Sequence, residues 1–231
     1  MNCPICAHEN NEFFPGGIHE DILQKLEVIG GGYRKNVLCP SCNSVDRERL
    51  LYMYLENIIE IPKKNNYKIL HIAPERNIRK YLKSFDNIEY LSADAYREDV
   101  DKNIDIIQIP EENNTFDLVI CNHVLEHILD DKKAMSEILR ILKPKGIAIL
   151  QVPISFKLEK TFEDSTVIEP SDRLKIFGQE DHVRIYGKDY LLKLKQVGFE
   201  VEKFDWKNNQ IFKSKEYGFI KNEILFISHK R

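Results

Sequence analysis

Four cysteines fall in two pairs, Cys3-Pro-Ile-Cys6 and Cys39-Pro-Ser-Cys42, with residues 7 to 38 between them. Two thiolates on each tight turn can meet one tetrahedral Zn²⁺, and four sulfur ligands leave no open position for a substrate. The chemistry on offer there is structural, the alternative being two reduced turns without metal. A second string, "CNHVLEHILDD" from Cys121 to Asp131, contains His123-x-x-Glu126-His127. An imidazole, a carboxylate and a second imidazole in that order match the metalloprotease zinc signature H-x-x-E-H. A third string, "FGQEDHVRIYG", gathers Asp181, His182, Arg184 and Tyr186. It holds a proton carrier for neutral pH, an acid to orient it and a guanidinium for an anion. Its alternative is a polar loop that only anchors itself.

These residues need elements to position them. The chain has 231 residues, 42% of them apolar, enough for one full-sized α/β domain and a small appendage. Charged residues make up 31% in mixed sign, with a net charge of −3, so no basic field favours nucleic acid. No basic-then-apolar leader opens the sequence and no apolar run is bilayer-long, which predicts a cytoplasmic protein with no membrane partner.

Within "EVIGGGYRKNVLC" an apolar strand, a glycine turn and a second strand form a hairpin between the knuckles, giving a zinc-ribbon-like lobe over 1–45. Leu50, Leu51, Tyr54, Leu55, Ile58 and Ile59 recur at helical spacing until Pro62. They predict a connecting helix within 46–66. From residue 67 to 231, apolar runs ("KILHIA", "IEYLSAD", "FDLVICN", "IAILQV") alternate with amphipathic helices through "NIRKYLKSF" and "DKKAMSEILRIL". "KPKG" closes the second of these with cations and a glycine. Continuous apolar strands between helices predict a parallel sheet covered on both faces. "KDYLLKLKQVG" is a further helix, and "FEVEKFDW" and "EILFIS" are final strands. Residues 153–186 fit neither period and form a substrate-side insertion. Cys121, alone in an apolar run, is a small buried hydrophobe.

The stretch from Asp105 to Pro153, "DIIQIPEENNTFDLVICNHVLEHILDDKKAMSEILRILKPKGIAILQVP", resembles the second half of the class I S-adenosylmethionine-dependent methyltransferase domain. More loosely, the resemblance extends from Tyr67 to the C-terminus and leaves the knuckles outside. The "RxRLL" helix, "LHIAPE" and "FGQEDHVRxYG" look like one branch of these enzymes whose acceptors are uncharacterised. The resemblance implies a Rossmann-like, mostly parallel seven-stranded sheet and the cofactor S-adenosyl-L-methionine at the carboxyl ends of the strands. It places Asp94 on the ribose hydroxyls, Asp105 and Ile106 at the adenine, and Asn122 beside the cofactor. The family's acid and glycine-rich turn is replaced here by "LHIAPERNI", so that His71, Ala73 and Glu75 take its place, Glu75 meeting the cofactor's cationic end or capping the next helix. His123 and His182 are the candidate bases, with Asp181 orienting His182, and Arg184 and Tyr186 bind substrate. His127 packs or caps.

The same neighbours argue against a protease, because His123 lies at a strand exit rather than inside a helix. The sequence therefore predicts a methyltransferase on a small polar acceptor, such as a sugar, glycan intermediate or metabolite. Two alternatives are an RNA methyltransferase that uses the knuckles on nucleic acid and a non-catalytic, zinc-bearing interaction protein.

Overall fold

The computed structural model describes residues 1–213 and 215–231. The small elements of the N-terminal lobe come first: β1 (Phe14–Gly16), α1 (Asp21–Lys25) and β2 (Arg34–Leu38). Helix α2 (Asp46–Asn57) leads into β3 (Tyr67–Ile72), α3 (Arg76–Leu82), β4 (Ile88–Asp94), β5 (Lys102–Asn103) and β6 (Phe116–Cys121). Then follow α4 (Asp131–Ile141), β7 (Leu142–Ile149), β8 (Phe162–Glu163), α5 (Pro170–Phe177) and β9 (Arg184–Ile185). The chain ends with α6 (Tyr190–Val197), β10 (Glu200–Phe204), α7 (Gln210–Lys213) and β11 (Leu225–His229).

One seven-stranded sheet has the order β10-β11-β7-β6-β3-β4-β5. The five strands from β7 to β5 are parallel, and β11 and β10 add antiparallel at one edge. Alternation along the strands explains the unbroken apolar runs. Leu70, Ile72, Val119 and Cys121 point into one core with α4 and α6, while Ile69, Leu118 and Ile120 point into the other with α2 and α3. Cys121 is a packed hydrophobe, fully buried. Among the described residues no helix is long and apolar enough to cross a membrane.

Three local expectations need correction. The hairpin partner of β2 is β1, not "EVIG": Phe14 pairs with Leu38 and Gly16 with Arg34. Ile29 instead bridges Ile154 of the insertion, because Val28 is buried with Leu23, Phe177 and Ile185 in a cluster that the lobe and the insertion build together. "KPKG" does not cap α4. The chain turns extended at Leu142, and β7 begins there with a register irregularity against β6 that puts Lys145 at φ 65°. The insertion, for its part, contains α5 and the antiparallel pair β8–β9.

The lobe is tied to the sheet domain by Arg49, which is fully buried. Its guanidinium donates to the carbonyls of Val37 and Ser44 in the lobe and of Tyr217 and Gly218 near the C-terminus, and it stacks 4.4 Å from the Phe13 ring. Glu48, on the same helix, accepts from the backbone N–H of Asn77 at 3.1 Å and so caps α3 from outside.

Candidate active site and cysteine cluster

The two knuckles have the same backbone. Ala7 N–H donates to the Cys3 carbonyl and Asn43 N–H to the Cys39 carbonyl, each at 2.9 Å, and Ala7 and Asn43 both sit at φ 59°. These turns bring the four sulfurs within 4.8 Å of one another. Cys3 and Cys42 are 3.5 Å apart and Cys6 and Cys39 3.8 Å, all four as free thiols. Sulfurs about 2.3 Å from a tetrahedral zinc ion stand about 3.8 Å apart, so the cluster fits that ion. Neither histidine of the lobe is needed to complete it.

At the carboxyl edge of the sheet, neighbouring strands β3 and β6 both leave through a left-handed residue, Ala73 at φ 48° and His123 at φ 55°. A non-glycine residue held there is strained, and such strain gathers at sites where the backbone must bend sharply. Ala73 N–H donates to Ala93 and His123 N–H to Gln151, which fixes both exits.

Behind Ala73, His71 is fully buried, with Nδ1 3.0 Å from the Tyr90 hydroxyl and Nε2 2.6 Å from Glu75. Both ring nitrogens thus have a partner, the Tyr90 hydroxyl on one side and the Glu75 carboxylate on the other. Burial raises the Glu75 carboxyl, but the His71 contact and the Asn122 amide at 3.1 Å outweigh it and hold it below its ordinary range. The side chain is still 22% exposed. Glu75 is the N-cap residue just before α3, and its side chain makes no capping hydrogen bond. So the His71–Glu75 pair rebuilds an ionised carboxylate at the exit of β3, one turn later than usual for an acid on the strand itself.

Asp94 ends β4, and its Oδ1 accepts from the N–H groups of Tyr96 and Arg97 at 2.9 and 3.1 Å. Its Oδ2 has no hydrogen-bond donor among the described residues. Asp105 is exposed and folds one oxygen onto the Ile107 N–H. Ile106 is buried in the core, so its backbone is what it can present to a nucleobase. Asn122 is buried between Glu75 and the Gln151 N–H and acts by positioning Glu75.

The third string departs most from expectation. Arg184 is 4% exposed and donates to the carbonyls of Leu125, Ile128 and Leu129 and to Glu163. Its fork is filled from within, so it organises the loop after β6 rather than binding substrate. Tyr186 is fully buried with its hydroxyl on Asp131 at 2.9 Å, a core residue and not a substrate contact. Asp181 orients His127, not His182: its Oδ2 lies 3.1 Å from His127 Nδ1.

Sequence reasoning missed what these residues surround. Glu126, 1% exposed, has Oε1 3.5 Å from His123 Nδ1 and 4.0 Å from Nε2 of both His127 and His182. Burial pushes the Glu126 carboxyl up to about 8. Burial, with Arg47 and His182 nearby, holds His123 well below its usual range, and burial with His127 lowers His182 to about 4. Both imidazoles are therefore neutral at pH 7. A cleft of about 400 Å³ opens over His123, Glu126 and His127, roofed by Gly30, Gly31 and Arg47 from the other side. Arg47 donates one N–H to the Gly30 carbonyl at 2.8 Å. The signal for Glu126 was in the H-x-x-E-H string. Arg47 and Gly30 carried no signal, because only tertiary packing brings the lobe over β6.

Residues 70–150 match the methyltransferase domain family. The matched stretch runs from within β3 to just past the end of β7 and takes in every residue assigned to the cofactor by resemblance. An uncharacterised protein of Methanocaldococcus jannaschii is 42% identical over 74 residues, 31% of this chain, and the chain spans about a third (32%) of that protein's length. Among solved structures, the [4+2]-cyclase SpnF is similar over 93% of this chain and 98% of its own, with a TM-score of 0.54 and 17% identity. A SAM-dependent methyltransferase from Archaeoglobus fulgidus is similar over 78% of this chain and 93% of its own, with a TM-score of 0.50 and 14% identity. At such identities the likeness is one of fold, and a cyclase on the same fold shows that the reaction must be argued from the site.

Proposed function

We propose that the protein is an S-adenosylmethionine-dependent methyltransferase that acts on a hydroxyl of a small polar acceptor, such as a sugar, glycan intermediate or metabolite, with a structural Zn²⁺ in its lobe. One observation carries the reading: within the matched domain, two carboxylates face the carboxyl edge of adjacent strands, ionised Glu75 at β3 and Asp94 at β4 with Oδ2 free. This donor set suits the cofactor. Asp94 can accept from vicinal ribose hydroxyls, Glu75 can meet a cationic centre, and Ala73, small and left-handed, admits a close backbone approach.

Bound S-adenosylmethionine supplies a methyl group on a sulfonium, already a strong electrophile. The protein's task is then alignment and removal of one proton. His123, neutral and at the exit of β6, is the group for that proton. Arg47 takes the place first given to Arg184, as the cation on the cleft wall that meets an electron-rich group of the acceptor. The glycine turn packs against His123 from the lobe side through its backbone.

Calorimetry with S-adenosylhomocysteine tests the reading. We expect binding of one equivalent at micromolar concentration. No heat up to high micromolar concentration would remove the enzyme and leave a zinc-bearing interaction protein.

A further inference from the structure

We propose that Glu126, His127 and His182 form a binding site for one divalent transition-metal ion, separate from the cysteine cluster, that holds the acceptor's oxygen. The role given to the ion rests on the methyltransferase reading; the binding site does not.

Three observations point to a ligand. First, one ligand atom from each of the three residues lies within 4.8 Å of the other two. Glu126 Oε1 is 4.0 Å from each nitrogen, too far for a hydrogen bond. Ligand atoms about 2.0–2.1 Å from a tetrahedral zinc stand about 3.3 Å apart, so small side-chain movements would close the set. Second, buried polar atoms here lack partners. Glu126 Oε2, His182 Nε2 and His123 Nε2 have none among the described residues, although Glu126 and His182 are 1% and 2% exposed. Native interiors rarely leave such atoms unsatisfied without a missing ion or water to explain them. Third, the outer contacts select the ligating nitrogens. His127 gives Nδ1 to Asp181 at 3.1 Å, and the Phe177 carbonyl lies against the His182 ring, which leaves Nε2 of both aimed at Glu126. Carboxylate and carbonyl partners of this kind orient metal-bound imidazoles.

Two imidazoles and one carboxylate suit zinc and the first-row divalent ions, and leave coordination positions open. The arrangement is not that of H-x-x-E-H peptidases. His123 sits on the strand exit, its Nδ1 3.5 Å from Glu126, and His182 from the insertion takes the place of a ligand. Glu126 and His127 line the cleft beneath Gly30 and Arg47, the side from which an acceptor would reach the ion. An acceptor hydroxyl bound there becomes more acidic. Its proton passes to His123 Nε2, the oxygen forms the new O–CH₃ bond, and the S–CH₃ bond breaks with its electron pair kept by sulfur. No redox partner is required.

The test is titration of the full-length protein, its cysteine site already filled with zinc, with ZnCl₂ or MnCl₂ by calorimetry. We expect one further equivalent, weakened at least tenfold by Glu126→Gln or His182→Asn and by a smaller factor by Asp181→Asn. Unfolding temperatures of the metal-free variants report whether the fold survives. Should the variants unfold, zinc X-ray absorption of the wild-type protein decides: imidazole scattering beside sulfur supports the site, and sulfur alone overturns it. The inference also fails if neither ion binds beyond the cysteine equivalent, or if the second equivalent survives the combined Glu126→Gln, His127→Asn, His182→Asn variant. Ion binding without S-adenosylhomocysteine binding would overturn the enzyme reading and leave the site standing.

Discussion

Gly30 of the N-terminal lobe lies directly against His123 at the exit of β6: a Cβ built on Gly30 would fall 2.9 Å from His123 Cε1. Gly30 also sits at φ 87°, where an L side chain is strained. The lobe therefore closes over the candidate base through backbone, and only glycine allows it. Gly30→Ala is expected to lose about 1–2 kcal/mol of stability in urea unfolding from strain and crowding. S-adenosylhomocysteine affinity should stay within about threefold. A variant as stable as the wild type would show that the lobe does not press on His123.

Asp94→Asn tests the proposed ribose contact apart from the turn that the side chain already holds. The amide oxygen can still accept from Tyr96 and Arg97, while Oδ2 becomes a donor facing the ribose position. S-adenosylhomocysteine should bind at least about tenfold more weakly, or about 1.4 kcal/mol, with little change in melting temperature. Unchanged affinity in calorimetry would move the nucleoside away from β4.

Zinc in the cysteine cluster should hold the lobe and, through Arg49, the C-terminal segment at Gly218. Chelation or Cys39→Ser is expected to release one zinc and raise hydrogen exchange in residues 1–45 and near 218. Protection in β3, β6 and β7 should persist. Exchange that is equally slow with and without metal would argue for knuckles that need no ion.

Arg184 should behave as a structural residue. Its removal takes the guanidinium donor from the carbonyls of Ile128 and Leu129 and leaves Glu163 without its partner. Arg184→Ala is expected to lose about 3 kcal/mol or more in equilibrium unfolding. A variant of full stability that has lost only acceptor affinity would restore the substrate role the sequence suggested.

Burial, with Asp46 close by, pushes Glu223 up to about 7, and its Oε2 has no partner. The unfolded chain ionises this group near its ordinary pKa of 4.5. Between that pH and 7 the folded state holds the extra proton, so stability falls as pH rises and levels off above 7. Glu223→Gln should flatten this slope and gain up to about 3 kcal/mol at pH 8 relative to wild type. Urea titrations of both proteins at pH 5 and pH 8 give the comparison, and parallel pH dependences would mean Glu223 stays charged when folded.

Much of this protein is written locally. Strands buried on both faces must be continuous apolar runs, so Ile69–Ile72 and Leu118–Cys121 announced a covered parallel sheet, and the Cys-x-x-Cys turns announced their cluster. The place of Asp94 at the end of β4 was legible because the apolar run stops there. Contacts between distant segments were not. Arg184 and Tyr186 were polar enough in sequence to suggest a substrate loop, yet β9 turns them inward onto carbonyls and Asp131. "EVIGGG" had the pattern of a hairpin strand, but Ile29 found a partner in Ile154 and Gly30 one in His123. The H-x-x-E-H string fixed the residue types but not the grouping. A short 3₁₀ turn at Leu125–His127, with His182 arriving from the insertion, decided that Glu126 would lie among the three histidines, with His123 beside it on the same wall of the cleft. Periodicity and short spacings come from one segment's own geometry, so a sequence states them; which side chains share a buried site depends on how separate segments pack, and only the folded chain supplies that.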